Sequence, residues 1–260
     1  MRRLFIELIV LLGIGGLIWA AFALFVDLPT RPSLVSRQTE TEIGTKVRET
    51  IIRTNGFELA YRPESEPVLQ EIADRIMEAD TSAGKLTIEI INHDMVNAFA
   101  LPGGYIMVTT GLIGFCESAE EFVSVVCHEA AHVINRDVLN RLISSMGLEI
   151  LLSNDPFVTG EVAKAIISTG YSRSQEKSAD ILSCTIMSNL GLEPRALASF
   201  LRRIKEEDPD NSARYSPEFI GTHPDLDSRI REVLLFLPPD GFMKSDPWFD
   251  WEEFKKTVEK

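Results

Sequence analysis

Two of the four histidines of this 260-residue chain stand four positions apart, in Val125-Val-Cys-His128-Glu129-Ala-Ala-His132-Val133. On an α-helix, residues i and i+4 are turned from each other by about 40° and displaced by about 6 Å along the axis, so both imidazoles reach one ion beside the helix. The residue after the first histidine lies about 100° around the axis. That leaves the Glu129 carboxylate beside the ion as a general base for water, not as a ligand. Taken alone, the same five residues also fit a helix whose histidines are hydrogen-bonded or face solvent. A catalytic zinc takes three protein ligands and keeps one position open, so a third donor is required.

Tyr171-Ser-Arg-Ser-Gln-Glu176-Lys-Ser-Ala-Asp180 offers it. Glu176 is the candidate third ligand. Asp180, one helical turn on, can accept a hydrogen bond from the outer nitrogen of a metal-bound histidine and so fix its tautomer and orientation. In isolation these carboxylates read as a solvated acidic face, with Arg173 and Lys177 as ordinary ion-pair partners. Behind the paired histidines the ligand reading prevails.

The elements that must hold these groups are mostly helical. Ile43, Val47, Ile51 and Ile52 recur at helical spacing from about residue 38, and a second helix follows Pro67 with Val68, Ile72, Ile76 and Met77 on one face. The β-branched runs Leu86–Asn92 and Tyr105–Gly111 read as strands, the second after the breaker Pro102-Gly103-Gly104. Ser118 and Glu121 have capping-box spacing and open the histidine helix, whose core side carries Phe122, Val125, Val126, Ala130 and Val133. Residues 138–152 continue helically. A further helix runs from about Ser172 to Gly191, and Pro194 opens another through Ile204. Residues 145–171 form either a plain helical connection or a lid, and the tail Asp246-Pro-Trp-Phe-Asp-Trp-Glu-Glu-Phe254 a docking helix or a frayed end. The expected fold is α+β: a mainly helical zincin-like domain with a small β-sheet.

Together, His128-Glu-Ala-Ala-His132 and Ser172-Arg-Ser-Gln-Glu176-Lys-Ser-Ala-Asp180 resemble the motifs of the gluzincin zinc metallopeptidases of the HtpX and BepA type. Two more segments match in the expected order: Asn97-Ala-Phe-Ala-Leu-Pro-Gly-Gly-Tyr-Ile-Met-Val-Thr-Thr-Gly111, and Thr222-His-Pro-Asp-Leu-Asp-Ser-Arg-Ile230. The likeness covers about residues 38–235 and is nearest the BepA-like branch, without its tetratricopeptide repeats. It implies one Zn²⁺ per chain on His128, His132 and Glu176, with Glu129 catalytic and Asp180 and Arg229 in support. It implies a substrate strand added along Asn97 and Tyr105, Ile106, Met107 and Val108. It brings His223 to the cleft as an oxyanion stabiliser or an occupant of the open position, though a histidine before a proline equally suits a structural turn. The activity implied is zinc-dependent endoproteolysis, with misfolded or unassembled envelope proteins as substrates and a part in protein quality control. A chaperone-like protein that holds chains in the same cleft without cleaving them is the alternative. Lys177-Ser178 departs from the acidic residue common before the Ala-Asp pair, but both carboxylates are kept.

Leu8–Val26 gives nineteen residues without a charge, nearly enough helix to cross a hydrocarbon core of about 30 Å. Residues 1–26 read as a membrane anchor, or a cleaved signal ending near Ala21 and Ala23, residues 27–37 as a linker, and 38–260 as the peptidase domain. Arg2 and Arg3 keep the amino terminus cytoplasmic. A bacterial inner-membrane protein with a periplasmic domain follows, or a periplasmic one if the segment is removed. Without residues 1–26 the chain holds 24 basic and 38 acidic side chains, which excludes a nucleic-acid partner. Cys116, Cys127 and Cys184 form no disulfide framework, and His93, with no partner at useful spacing, is structural.

Overall fold

The computed structural model describes residues 35–54, 57–60, 63–153, 155–207 and 217–258. The expected anchor and most of the linker lie outside them. Among the described residues no helix is long and apolar enough to cross a membrane.

The chain order is α1 (Arg37–Thr54), β1 (Glu58–Leu59), α2 (Glu66–Ala79), β2 (Thr87–Asn92), β3 (Ala98–Ala100), β4 (Tyr105–Thr109), α3 (Thr110–Phe115), α4 (Ala119–Ile134) and α5 (Asp137–Met146). There follow α6 (Leu148–Leu151), α7 (Pro156–Ser168), α8 (Arg173–Asn189), α9 (Ala196–Glu207), α10 (Pro217–Thr222), α11 (Leu226–Leu235) and α12 (Trp251–Val258). The α+β expectation holds: many helices surround one four-stranded sheet of order β1-β2-β4-β3.

In that sheet β2 and β4 run parallel, with Ile88 opposite Ile106 and Ile90 opposite Val108. Strand β3 is antiparallel to β4, with Ala98 opposite Val108 and Ala100 opposite Ile106. The sequence reading of Tyr105, Ile106, Met107 and Val108 as the edge that takes a substrate is therefore corrected. Strand β4 is paired on both sides, so its backbone donors and acceptors are spent, and the edge is β3. The turn from β3 into β4 depends on Gly104, at φ +93°, where an added Cβ would come within 2.0 Å of the Lys85 carbonyl oxygen.

Helix α4 is apolar nearly all round and lies at the centre, with every residue from Glu121 to Val133 buried. Ser118 Oγ accepts from the Glu121 amide at 3.2 Å, one half of the expected capping box. The Glu121 carboxylate turns instead to the Glu117 amide at 2.9 Å and to Arg203. The complete box is at α8, where Ser172 and Gln175 cap each other. Helices α4 and α8 pack together, close enough for Ser183 Oγ to donate to the Ser124 carbonyl at 3.0 Å.

Two outer helices support this centre. Helix α1 approaches the β3–β4 turn so closely that a Cβ on Gly44 would lie 1.8 Å from the Pro102 carbonyl oxygen. On the other flank the tail docks as α12, with the Trp251 and Phe254 rings 5.6 and 5.4 Å from that of Phe122.

Candidate metal centre

Helix α4 presents His128 and His132 one turn apart, and α8 presents Glu176 from its first turn. His223 arrives at the end of α10, its amide held by the Phe219 carbonyl at 2.8 Å. Each of the four offers one donor atom, and these atoms lie within 4.8 Å of one another, all buried. His128 Nε2 is 3.2 Å from His132 Nε2, 3.4 Å from His223 Nδ1 and 3.6 Å from Glu176 Oε2. His132 Nε2 is 3.6 Å from Glu176 Oε1, which is 3.0 Å from His223 Nδ1. A tetrahedral ion with bonds of about 2.0–2.2 Å separates its ligand atoms by about 3.4 Å, so the donors fit a first-row divalent metal.

The groups behind the donors are as definite. His128 Nδ1 faces Asp180 Oδ1 at 2.9 Å, the partner expected from the sequence. Arg229 grips Asp180 with two nitrogens, at 2.8 and 2.9 Å, and reaches Glu176 Oε2 at 2.7 Å. His132 Nδ1 lies 2.8 Å from Asp137 Oδ2, and the Tyr171 ring stacks on its face at 3.7 Å and 5°. Sequence reasoning found neither Asp137 nor Tyr171. The Asn135-Arg136-Asp137 that follows α4 was the only local sign of the first, and nothing local points to the second.

Glu129 is fully buried beside the cluster. Its Oε2 accepts from the Ala100 amide of β3 at 2.8 Å, while Oε1 has no hydrogen-bond donor among the described residues and lies 3.4 Å from His223 Nε2. Along β3, Leu101 donates to Tyr105 and Asn97 accepts from Thr109. The alternation therefore turns the Ala98 and Ala100 backbone to the free side. Asn97 stands at the head of this edge, buried, with its amide nitrogen held by Thr109 Oγ1 at 3.2 Å. His93 is apart from the cluster, its Nδ1 accepting from the Met95 amide at 3.0 Å.

The charges divide unequally. Burial and the Arg229 guanidinium lower the pKa of His128, with Asp180 opposing them. Burial works the same way on His132, but its hydrogen bonds to Asp137 and Glu176 prevail and push it up to about 9. Burial also opposes ionisation of Glu176 and Asp180, yet His223, His132 and Arg229 hold Glu176 well below the usual carboxylate range, and Arg229 and His128 hold Asp180 at about 2.

Paired histidines on a central helix, a glutamate from a second helix and a further carboxylate beside them define a metallopeptidase type of centre. The chain belongs to peptidase family M48, whose model matches residues 63–235. It is 24% identical over 186 residues to the mitochondrial metalloendopeptidase OMA1 of Schizosaccharomyces pombe, covering 69% of this chain and 55% of that protein. Over 166 residues it is 27% identical to the beta-barrel assembly-enhancing protease of Escherichia coli, covering 55% of this chain and 33% of that one. It is also 27% identical over 227 residues to the OMA1 of Saccharomyces cerevisiae, with 78% and 65% covered. The chain thus spans a third to two thirds of these relatives.

Proposed function

We propose that this protein is a zinc-dependent metalloendopeptidase, tethered to a membrane by residues 1–26, that cleaves misfolded or unassembled proteins of a bacterial envelope. The observation that carries the reading is the convergence of four buried donor atoms beside a carboxylate, Glu129, that keeps one oxygen free. Family membership and relatives named as endopeptidases and as an assembly-enhancing protease support it.

His128, His132 and Glu176 would hold the zinc, which when bound polarises a peptide carbonyl and acidifies water. Glu129 Oε1 takes the proton of the attacking water and returns it to the leaving amine nitrogen, while the Ala100 amide steadies Oε2. Substrate adds to the side of β3 that is not paired in the sheet, along the Ala98 backbone and the Ala100 carbonyl, both buried in the form described. Arg229 holds Glu176 and Asp180 in place, and Asp180 in turn orients His128.

The form described is closed. His128, Glu129, His132, Glu176 and His223 are each no more than 1% exposed. The Tyr171 amide donates to the Thr222 carbonyl at 3.0 Å and closes the segment before α8 against the end of α10. His223 Nδ1 stands at ligand spacing and fills the position that substrate needs, so this histidine blocks the centre until α10 moves. The test is zinc content and cleavage of a reduced, unfolded protein by the parent and Glu129→Gln. Retained zinc with lost hydrolysis is expected, and a mutant that cleaves as fast as the parent removes Glu129 from the reaction. A protein that suppresses aggregation stoichiometrically and releases no peptide would favour the chaperone-like reading.

A further inference from the structure

We propose that Asp137 is the positioning residue of His132, and that with Gln175 it forms a bridge joining the two helices that carry the metal donors. This rests on the metal-centre reading above. Helix α4 ends at Ile134, and Arg136 adopts a left-handed conformation, φ 56° and ψ 31°, before α5 begins. That conformation is uncommon for a residue with a side chain. Its effect is to bring Asp137, the first residue of the next helix, back alongside the last turn of α4.

Asp137 is 6% exposed and its two oxygens are used separately. Oδ2 faces His132 Nδ1 at 2.8 Å, and Oδ1 accepts from Gln175 Nε2 at 3.2 Å. A carboxylate only accepts, so Nδ1 carries the proton and the Nε2 lone pair is left for the metal cluster. Gln175 cannot drift, because its Oε1 accepts from the Ser172 amide at 3.0 Å and from Ser172 Oγ at 2.9 Å within the cap of α8. The residue after it is Glu176. One chain of hydrogen bonds therefore runs from a histidine donor on α4 to the backbone turn that presents the glutamate donor on α8.

The two histidines are held differently. Behind His128, the Asp180 charge is balanced by the Arg229 fork. Behind His132, Asp137 meets the neutral amide of Gln175. Asp137 thus leaves more negative charge on its histidine and strengthens it as a donor, while Tyr171 flat against the ring prevents rotation.

The experiment compares the full chain, purified in detergent, with Asp137→Ala, Asp137→Asn and Gln175→Ala. Zinc affinity is read by competition with a chelator and donor geometry from the visible spectrum of the Co²⁺ form, with circular dichroism monitoring the fold. Asp137→Ala is expected to weaken zinc binding about 10- to 100-fold and to alter the Co²⁺ bands. Asp137→Asn, which keeps an acceptor for Nδ1–H but no charge, should recover part of the loss. Gln175→Ala should weaken binding a few-fold through a looser Asp137. Zinc affinity within twofold of the parent and an unchanged Co²⁺ spectrum in Asp137→Ala would overturn the proposal. Should that variant fail to fold, the same result in Asp137→Asn overturns it. A parent that binds no zinc would instead overturn the metal-centre reading itself.

Discussion

Replacing Arg229 by leucine tests how much of the site's stability comes from one buried guanidinium. Arg229 is 3% exposed and makes three polar contacts of 2.7–2.9 Å to Asp180 and Glu176, each 1% exposed. Asp180 titrates at about 2, against an ordinary value of 3.8, because Arg229 and His128 outweigh burial. That depression of nearly two units is worth about 2.5 kcal/mol at neutral pH. Glu176 is held down as well, so uncoupling both carboxylates falls in the range of roughly 3–5 kcal/mol for breaking a buried pair. The folded-state pKa of Asp180 is the lower one, so this stability is complete above about pH 4 and is lost as pH falls toward 2. Urea unfolding of chelator-treated protein measures it. At pH 7 Arg229→Leu should lose about 3–5 kcal/mol, and on acidification its stability should fall less steeply than the parent's. Arg229→Leu with Asp180→Asn should be less damaged than Arg229→Leu alone, since one stranded charge is gone. A loss under about 1 kcal/mol at pH 7 would refute the reasoning.

Gly44→Ala forces a methyl against the Pro102 carbonyl, a backbone clash that no rotamer relieves. We expect about 3 kcal/mol of destabilisation, seen as a fall of roughly 6–12 °C in a thermal melt. His223→Ala clears the fourth position, so cleavage of an unfolded protein should rise several-fold while zinc binding weakens; a drop in cleavage would refute the blocking role. Because His132 is pushed up to about 9, zinc uptake at pH 7 should release about one proton. Apparent affinity should then fall about tenfold per pH unit below 9, which calorimetry in buffers of different ionisation heat would detect.

The candidate donors were legible because helical spacing turns His128 and His132 to one face, with Glu129 beside it, and Glu176 and Asp180 to another; each motif by itself also fitted an ordinary helix, and only the two together pointed to one site. What failed was the assignment of the edge. The β-branched run at Tyr105–Thr109 marks a strand but not its neighbours, and Ala98-Phe99-Ala100 is too short and too alanine-rich to announce itself. Pairing order is a non-local property, and here it moves the free edge to β3. Asp137 escaped for a related reason: it follows a left-handed residue with a side chain, where no glycine marks the turn. The Ser118–Glu121 spacing was right for a capping box, but Arg203 and the Glu117 amide compete for the glutamate.

The α12 helix bears on how small a working fragment can be. The family match stops at residue 235, yet Trp251 and Phe254 cover Phe122 on the helix that carries His128 and His132. At the other end, Arg136 ties the far end of the same helix to Glu40 at 2.7 Å and to the Val35 carbonyl at 2.8 Å. A polypeptide trimmed to the matched segment would bare aromatic surface at one end of α4 and remove the Glu40 and Val35 contacts of Arg136 at the other. Its inactivity would then speak of a ruined scaffold while leaving the chemistry untouched, so the shortest informative version runs from Val35 through Val258.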